Sequence, residues 1–562
     1  MRIVSLSAIA ILSSCGPVVT AGDGSLDGGD VPVPDSGVTC ANALLAPPPE
    51  GVCSVIPGSA ATLLRGDVLS PQGVLQNGMV LIAADGRISC AACDCSTHPA
   101  FVGATVVACA RGVISPGLIN AHDHLTFDGN KPVPHGTERY DHRNEWRKGL
   151  GGHTKLTAPQ TSATPVVQWS ELRQVLAGTT SIFGSGGAAR LARNLDSATR
   201  NEGLGAVVAD YDTFPLGDSA GAMLSSSCGY PSLPNVSVVQ AEPAYVPHVA
   251  EGVNAAARNE YLCLAGQQGG GVNVCLGRSA FIHAIALTAQ DAAHMAADGA
   301  GVVWSPRSNV SLYGHTAAVT TYDRLGLRIA LGSDWTPSGS VNMLRELACA
   351  DSLNRTLYAS HFSDEALWRM ATVNGARVLG VQGLLGTLEP GAWADIAVFD
   401  GTTRSGHRAV IGAGVGDVAL VLRAGKVLHG DAAVVAALAP DGLTGCEPIE
   451  VCGVRKRVCL PRELGTTLAA LSASNASSYG LFFCGEPPDE PTCVPSRAGQ
   501  YTGIAAPGDA DGDGVPDAQD DCPSVFNPPR PLDQGMQLDT DGDGLGDACD
   551  WCPLDATNQC AP

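Results

Sequence analysis

Lysine is almost absent from this chain: 562 residues hold five, at Lys131, Lys148, Lys155, Lys426 and Lys456. With Arg included there are 33 basic residues against 55 acidic ones, a net charge of −22. Nucleic-acid phosphates are bound by clustered Lys and Arg, so that class of partner is excluded. Long apolar runs are lacking too. The run from Ile3 to Leu12 falls short of the ~20 residues that a bilayer-spanning helix takes. What the chain does have is 45% hydrophobic residues, enough to bury sizeable cores, in a length that implies about three domains. Its acidity is uneven. Between Asp509 and Asp555 stand 13 Asp and one Arg, a local balance of −12.

The N-terminus reads as an export signal: Arg2, the apolar run, then small residues. Leu12-Ser-Ser-Cys15 resembles a bacterial lipobox, which implies lipidation at Cys15 and a membrane-anchored, exported protein at the cell envelope; the simpler reading is a plain secretory signal. Multiple acyl chains anchor stably, at ~0.8 kcal/mol per buried CH₂. The Gly, Asp, Pro and Ser-rich stretch after Cys15 reads as a tether. Twenty Cys in an exported chain point to disulfides. Removing Cys15 leaves 19, so at least one is expected free or paired between chains. Cys90-x-x-Cys93-x-Cys95 is read as a disulfide-stapled loop in preference to a zinc knot.

Short strand-like and helix-like segments alternate through the middle of the chain, an α/β pattern. Candidate strands are Thr180–Phe183, Gly205–Ala209, Tyr245–His248, Ala280–His283, Gly301–Trp304 and Leu327–Leu331; the fourth strand of a barrel is the least clear. Thr288-Ala-Gln-Asp291 and Ser363-Asp-Glu are helix starts. His122 and His124 follow the apolar run Gly112-Val-Ile-Ser-Pro-Gly-Leu. In extended chain residues i and i+2 point the same way, so both imidazoles converge as a nitrogen-ligated metal requires. His248, His283 and Asp334 also sit at or just past strand ends. That is the face on which a (β/α)₈ barrel carries its active site.

Taken in order, Pro116-Gly-Leu-Ile-Asn-Ala-His-Asp-His124, His248-Val-Ala-Glu251, His283, Ser305-Pro-Arg-Ser-Asn309, Leu331-Gly-Ser-Asp334 and Gly386-Thr-Leu-Glu-Pro-Gly-Ala-Trp-Ala-Asp395 resemble the metal-dependent amidohydrolase superfamily, over roughly residues 60 to 430. The resemblance implies a TIM barrel with a composite β-sandwich from both flanks. It implies His122, His124, His248 and Asp334 as metal ligands, Glu251 as the acid/base at the leaving nitrogen, and His283 as the residue that orients or helps deprotonate the metal-bound water, with Asp334 also counted in the catalytic set. Binuclear members of the family bridge two ions with a carboxylated Lys on the fourth strand, and no Lys lies between residues 156 and 425. One ion is therefore expected, Zn²⁺ first and Fe²⁺ second. The implied branch is that of deaminases, imidazolonepropionase and triazine hydrolases, with small nitrogen heterocycles as substrates. The loop Thr137–Lys148, rich in Arg, His and aromatics, reads as a solvated lid with internal ion pairs more than as a substrate clamp. His135, His142, His153 and His315 read as supporting or surface groups.

The tail carries Asp509-x-Asp511-x-Asp513-Gly514 and Asp539-x-Asp541-x-Asp543-Gly544, continued by Asp517 and Asp520, and by Asp547 and Asp550. Carboxylates at positions 1, 3 and 5 with Gly at 6 are how a calcium loop is built. With Cys-Pro pairs between them, the loops resemble thrombospondin type 3 repeats. The expected division is a signal peptide (1–15), a tether (16–58), a β-sandwich (59–112 with 385–432), a catalytic barrel (113–384), a Cys-rich connector (433–504) and a core-poor calcium module (505–562). The tail is expected to be dispensable for catalysis. The expected function is hydrolysis of a non-peptide C–N bond by metal-activated water; the alternatives are a hydrolytic dehalogenase or lactonase-type enzyme, or a catalytically silent calcium-dependent surface adhesion protein.

Overall fold

The computed structural model describes residues 37–184, 186–439 and 444–560; Cys15 and the signal segment lie outside them. Eight parallel strands form the centre: β1 (Leu118–Asn120), β2 (Thr179–Ile182), β3 (Arg193–Asn194), β4 (Ala209–Asp212), β5 (Ala244–Val249), β6 (Ala280–His283), β7 (Gly301–Trp304) and β8 (Arg328–Leu331). Two backbone bonds close the ring where ladders are interrupted, Ala209 N to Leu195 O at 2.9 Å and Ala121 N to Leu331 O at 3.0 Å. Ala244, Val246, Ala280, Ile282, Val303 and Ala330 fill one apolar cluster. His248 continues the Ala244–Val246 face of β5 towards the strand's C-terminal end.

Two elements differ from the sequence reading. β4 starts at Ala209, where the candidate run Gly205–Ala209 ends, and β3 is two residues long with no apolar run to announce it. β3 is pinned by a buried ion pair: Arg193 Nε lies 2.7 Å from Asp395 Oδ2. Both helix starts form as expected. Thr288 and Asp291 make a reciprocal capping box, and Ser363 Oγ accepts from Ala366 N at 3.1 Å.

The flanks share one eleven-stranded sheet, in which Ala104–Pro116 pairs with Ile396–Asp400 and leads into β1. This sheet runs past residue 432, because Val454–Val458 and Glu447–Val451 extend its edge. Nine disulfides staple the described chain and Cys275 is its free cysteine. Cys90 pairs with Cys95, whereas Cys93 and Cys109 reach back to Cys40 and Cys53. No helix among the described residues is long and apolar enough to cross a membrane.

The C-terminal segment has little regular structure, but it does not stand apart from the barrel. Tyr501, Cys522, Val525 and Phe526 are buried in the same apolar cluster as Phe281, Val302 and Ile329. Arg530 is buried; its Nη1 donates to Ile285 O (2.8 Å) and Leu287 O (2.9 Å), while Asp533 pairs with its Nε at 2.9 Å. Leu532 N donates to Val253 O at 3.1 Å. The core-poor, detachable tail is thus corrected to a segment that borrows the barrel's core.

Candidate metal centre

The strand ends bring the six site residues together. Asp334 Oδ1 lies 3.0 Å from His122 Nε2 and 3.5 Å from His124 Nε2. His124 Nε2 lies 3.3 Å from His248 Nε2, and the His122 and His283 rings are 5.4 Å apart. On the other side His283 Nε2 is 3.8 Å from Glu251 Oε2. The backbone is shaped to do this: His283 and Asp334 have positive φ of 68° and 64°, conformations that non-glycine residues adopt at a cost and that cluster at functional sites. Gly332 is needed for close approach, since a Cβ there would meet the His122 backbone nitrogen at 2.6 Å.

The electrostatics suit a cation. Burial, reinforced by neighbouring His122, lowers the His124 pKa to about 3 and pushes His248 well below its usual value; burial likewise lowers His122. The imidazoles are therefore neutral near pH 7, with lone pairs available. Burial opposes ionisation of Asp334, yet the His122 hydrogen bond and the surrounding imidazoles hold it below the ordinary carboxylate range. The Nε2 atoms of His124 and His248 face each other at 3.3 Å, and His124 Nε2 also lies 3.5 Å from Asp334 Oδ1, so ring nitrogens and a carboxylate oxygen gather at one point. His122, His124 and Asp334 offer ligand atoms within 4.8 Å of one another, as do His122, His248 and His283. Three imidazoles and a carboxylate match Zn²⁺ or Fe²⁺ better than Mg²⁺ or Ca²⁺.

Supporting groups surround this set. His283 Nδ1 is 3.0 Å from Asn309 Oδ1 in the Ser305–Asn309 segment, and Ser308 Oγ donates to Asp334 Oδ2. Tyr211 lies 3.0 Å from His124 Nδ1. It stands on β4, which carries no Lys, and no motif in the sequence singles it out. Trp335 faces His124 at 6.1 Å, Phe127 at 5.5 Å and Trp146 at 5.4 Å, making an aromatic wall beside the histidines. In the Thr137–Lys148 loop the ion pairs are buried rather than solvated: Arg143 Nη2 is 2.7 Å from Asp218 and 3.4 Å from Glu260, and His142 Nε2 is 3.2 Å from Glu260. His135 contacts Ser311 Oγ at 3.1 Å, His153 contacts Glu138 at 3.1 Å, and His315 is turned to its own neighbour, Thr316. None of these enters the metal cluster.

The two Asp loops share one hydrogen-bond pattern. Asp509 accepts from Gly512 N and Gly514 N at 2.8 and 3.1 Å; Asp539 accepts from Gly542 N and Gly544 N at 2.7 and 3.0 Å. Asp517 and Asp547 each accept from the residue after the first Asp, while Asp520 and Asp550 cap the following Cys. Asp511 Oδ2, Asp541 Oδ2 and Asp550 Oδ2 are buried without a hydrogen-bond partner.

Residues 248–429 match the Amidohydrolase family. Over 122 residues the chain is 34% identical to a 5-methylthioadenosine/S-adenosylhomocysteine deaminase of Teredinibacter turnerae, a match that covers 21% of this chain and 28% of that protein. The namesake protein of Desulforudis audaxviator is 33% identical over 120 residues, again 28% of its length. The chain thus spans under a third of these curated relatives. Among solved structures, an adenosine deaminase from Xanthomonas campestris with bound zinc is similar at 18% identity and a TM-score of 0.49, over 75% of this chain and 98% of that one. An atrazine chlorohydrolase from Arthrobacter aurescens, complexed with zinc, is similar at 20% identity and a TM-score of 0.48, over 74% and 99%.

Proposed function

We propose that the barrel is a metal-dependent hydrolase of a non-peptide C–N bond, acting on a small aminated or amidine-type nitrogen heterocycle. The observation that carries this reading is the convergence of three neutral imidazoles and one ionised carboxylate beside a separate His–Glu pair. His122, His124, His248 and Asp334 would hold one divalent ion, Zn²⁺ before Fe²⁺. Such an ion lowers the pKa of water from 15.7 to about 7, which supplies a nucleophile near neutrality. His283, fixed through Nδ1 by Asn309, presents Nε2 to the reacting centre and orients the incoming oxygen. Glu251 stands on the far side of His283, placed to carry a proton to the departing nitrogen. The aromatic wall of Trp335, Phe127 and Trp146 offers π-faces to a planar ring.

β4 offers Asp210, Tyr211 and Asp212 where a bridging Lys would stand, so one tightly bound transition-metal ion per chain is expected. Elemental analysis after calcium removal checks this; two tightly held ions would overturn it. The deaminases matched in part of the chain direct the first assays to aminated purines such as 5′-methylthioadenosine, followed by cyclic amidines and triazines, with ammonia release as the readout. No turnover of any of them by the zinc-loaded protein would sink the C–N hydrolase reading.

The same proposal assigns calcium to the two Asp loops, supported by their unpartnered buried oxygens. It also assigns export and lipidation at Cys15, supported by the Leu12-Ser-Ser-Cys15 motif and tested by fatty-acid labelling of wild type against Cys15→Ser. Calcium binding should depend on pH. Burial, then the neighbouring Asp513, raises Asp511 to about 7, and burial raises Asp513 and Asp547 to about 6. Folded pKa values above the unfolded one mean stability of the calcium-free segment that is present below about pH 4 and lost as pH rises through 6 to 7. Calcium must displace those protons, so its affinity should climb over the same interval. Calorimetric titration at pH 5.5 and 7.5 is the check, and equal affinities would contradict it.

A further inference from the structure

Glu251 is hydrogen-bonded by a residue at the end of the helix Pro306–Tyr313. Tyr313 Oη lies 2.7 Å from Glu251 Oε1, and Trp146 Nε1 lies 2.9 Å from the same phenol. An indole N–H can only donate, so the phenol accepts from Trp146 and turns its own hydrogen to Glu251. The other carboxylate oxygen, Oε2, faces His283 Nε2 at 3.8 Å and Arg143 Nη1 at 4.0 Å. One oxygen is tied and the other is left towards the reacting centre.

We infer that Tyr313 is a positioning residue that locks the Glu251 carboxylate so that Oε2 is the oxygen that exchanges the proton with substrate. The inference rests on the reading of Glu251 as the acid/base. Tyr313 is fully buried, and burial, then the charge of Glu251, raises its pKa well above the usual phenol value, so it stays a neutral donor. Its backbone is fixed from outside the barrel. It ends the helix Pro306–Tyr313, and Gly314 follows with a positive φ of 65°. Arg497 Nη1 donates to Tyr313 O at 2.9 Å and Tyr501 Oη donates to Gly314 O at 3.1 Å. A side chain at Gly314 would strike Ser496 O at 2.3 Å. The segment 496–501 therefore clamps the turn that carries the phenol.

The test is a mutant cycle in the full-length, zinc-loaded protein, on the heterocycle of the ammonia-release panel that wild type turns over fastest. Tyr313→Phe is expected to lower kcat about 10- to 100-fold, the value of a hydrogen bond to a charged group, with KM and zinc content unchanged. In a Glu251→Gln background the same substitution should cost less than about twofold, because the group it positions is already gone. Wild-type kcat in Tyr313→Phe, with Glu251→Gln strongly impaired, overturns the positioning role alone. Equal losses in both backgrounds overturn it too. Wild-type kcat in Glu251→Gln overturns the acid/base reading beneath it.

Discussion

Glu251→Gln is expected to keep the metal and lower turnover ~10²-fold or more, since general acid–base catalysis is typically worth 10²–10⁴. The amide preserves size and still meets Tyr313, yet it cannot hold or release the proton. His283→Asn should act similarly, because His283 pairs with both Glu251 and Asn309. His122→Ala or Asp334→Ala should instead lose the ion, since Asp334 Oδ1 faces His122 and His124. Metal content and turnover measured together separate the two classes. Near-normal turnover in Glu251→Gln would remove the acid/base assignment.

The convergence of His122, His124 and Asp334 was legible in the sequence because their spacing is set by backbone geometry. His122 and His124 are two apart, and Asp334 follows a strand and a Gly that must pass the His122 backbone. β5 through β8 were legible as short, largely apolar runs, with His248 inside β5 and His283 at the end of β6. β3 was not, because its two residues are held by side-chain pairing, Arg193 with Asp395 and Asn194 with Glu171, rather than by burial of an apolar face. Tyr211 and Tyr313 escaped notice because a lone tyrosine carries no spacing signal; their roles come from partners 87 and 62 residues away. The tail was misjudged on composition. Its 13 Asp obscured Val525, Phe526 and Arg530, few in number but all buried, with Val525 and Phe526 in the apolar cluster shared with the barrel.

Arg530→Met is expected to destabilise the folded protein by about 3–5 kcal/mol, the usual result of removing one member of a buried ion pair. It strands Asp533 without its guanidinium and leaves two barrel carbonyls, Ile285 and Leu287, without their donor. Those carbonyls stand two and four residues past His283, and Leu532 bonds Val253, two residues past Glu251. The segment thus grips the loops after β5 and β6 that carry the proposed proton-handling pair, while Arg497 grips the turn after β7. Deleting residues 496–562 should therefore collapse turnover or solubility rather than leave catalysis intact, and calcium chelation should lower the unfolding temperature of the whole chain. Thermal unfolding of wild type and Arg530→Met, each with calcium and with chelator, measures both effects, and turnover of the truncated chain measures the third. A truncated protein with wild-type kcat and an unchanged barrel transition would show that these contacts are a docking convenience. The barrel residues that share a cluster with Val525 and Phe526 would then have to be stable without them. Exposing buried apolar surface costs roughly 25 cal/mol per Å², which argues for the opposite result.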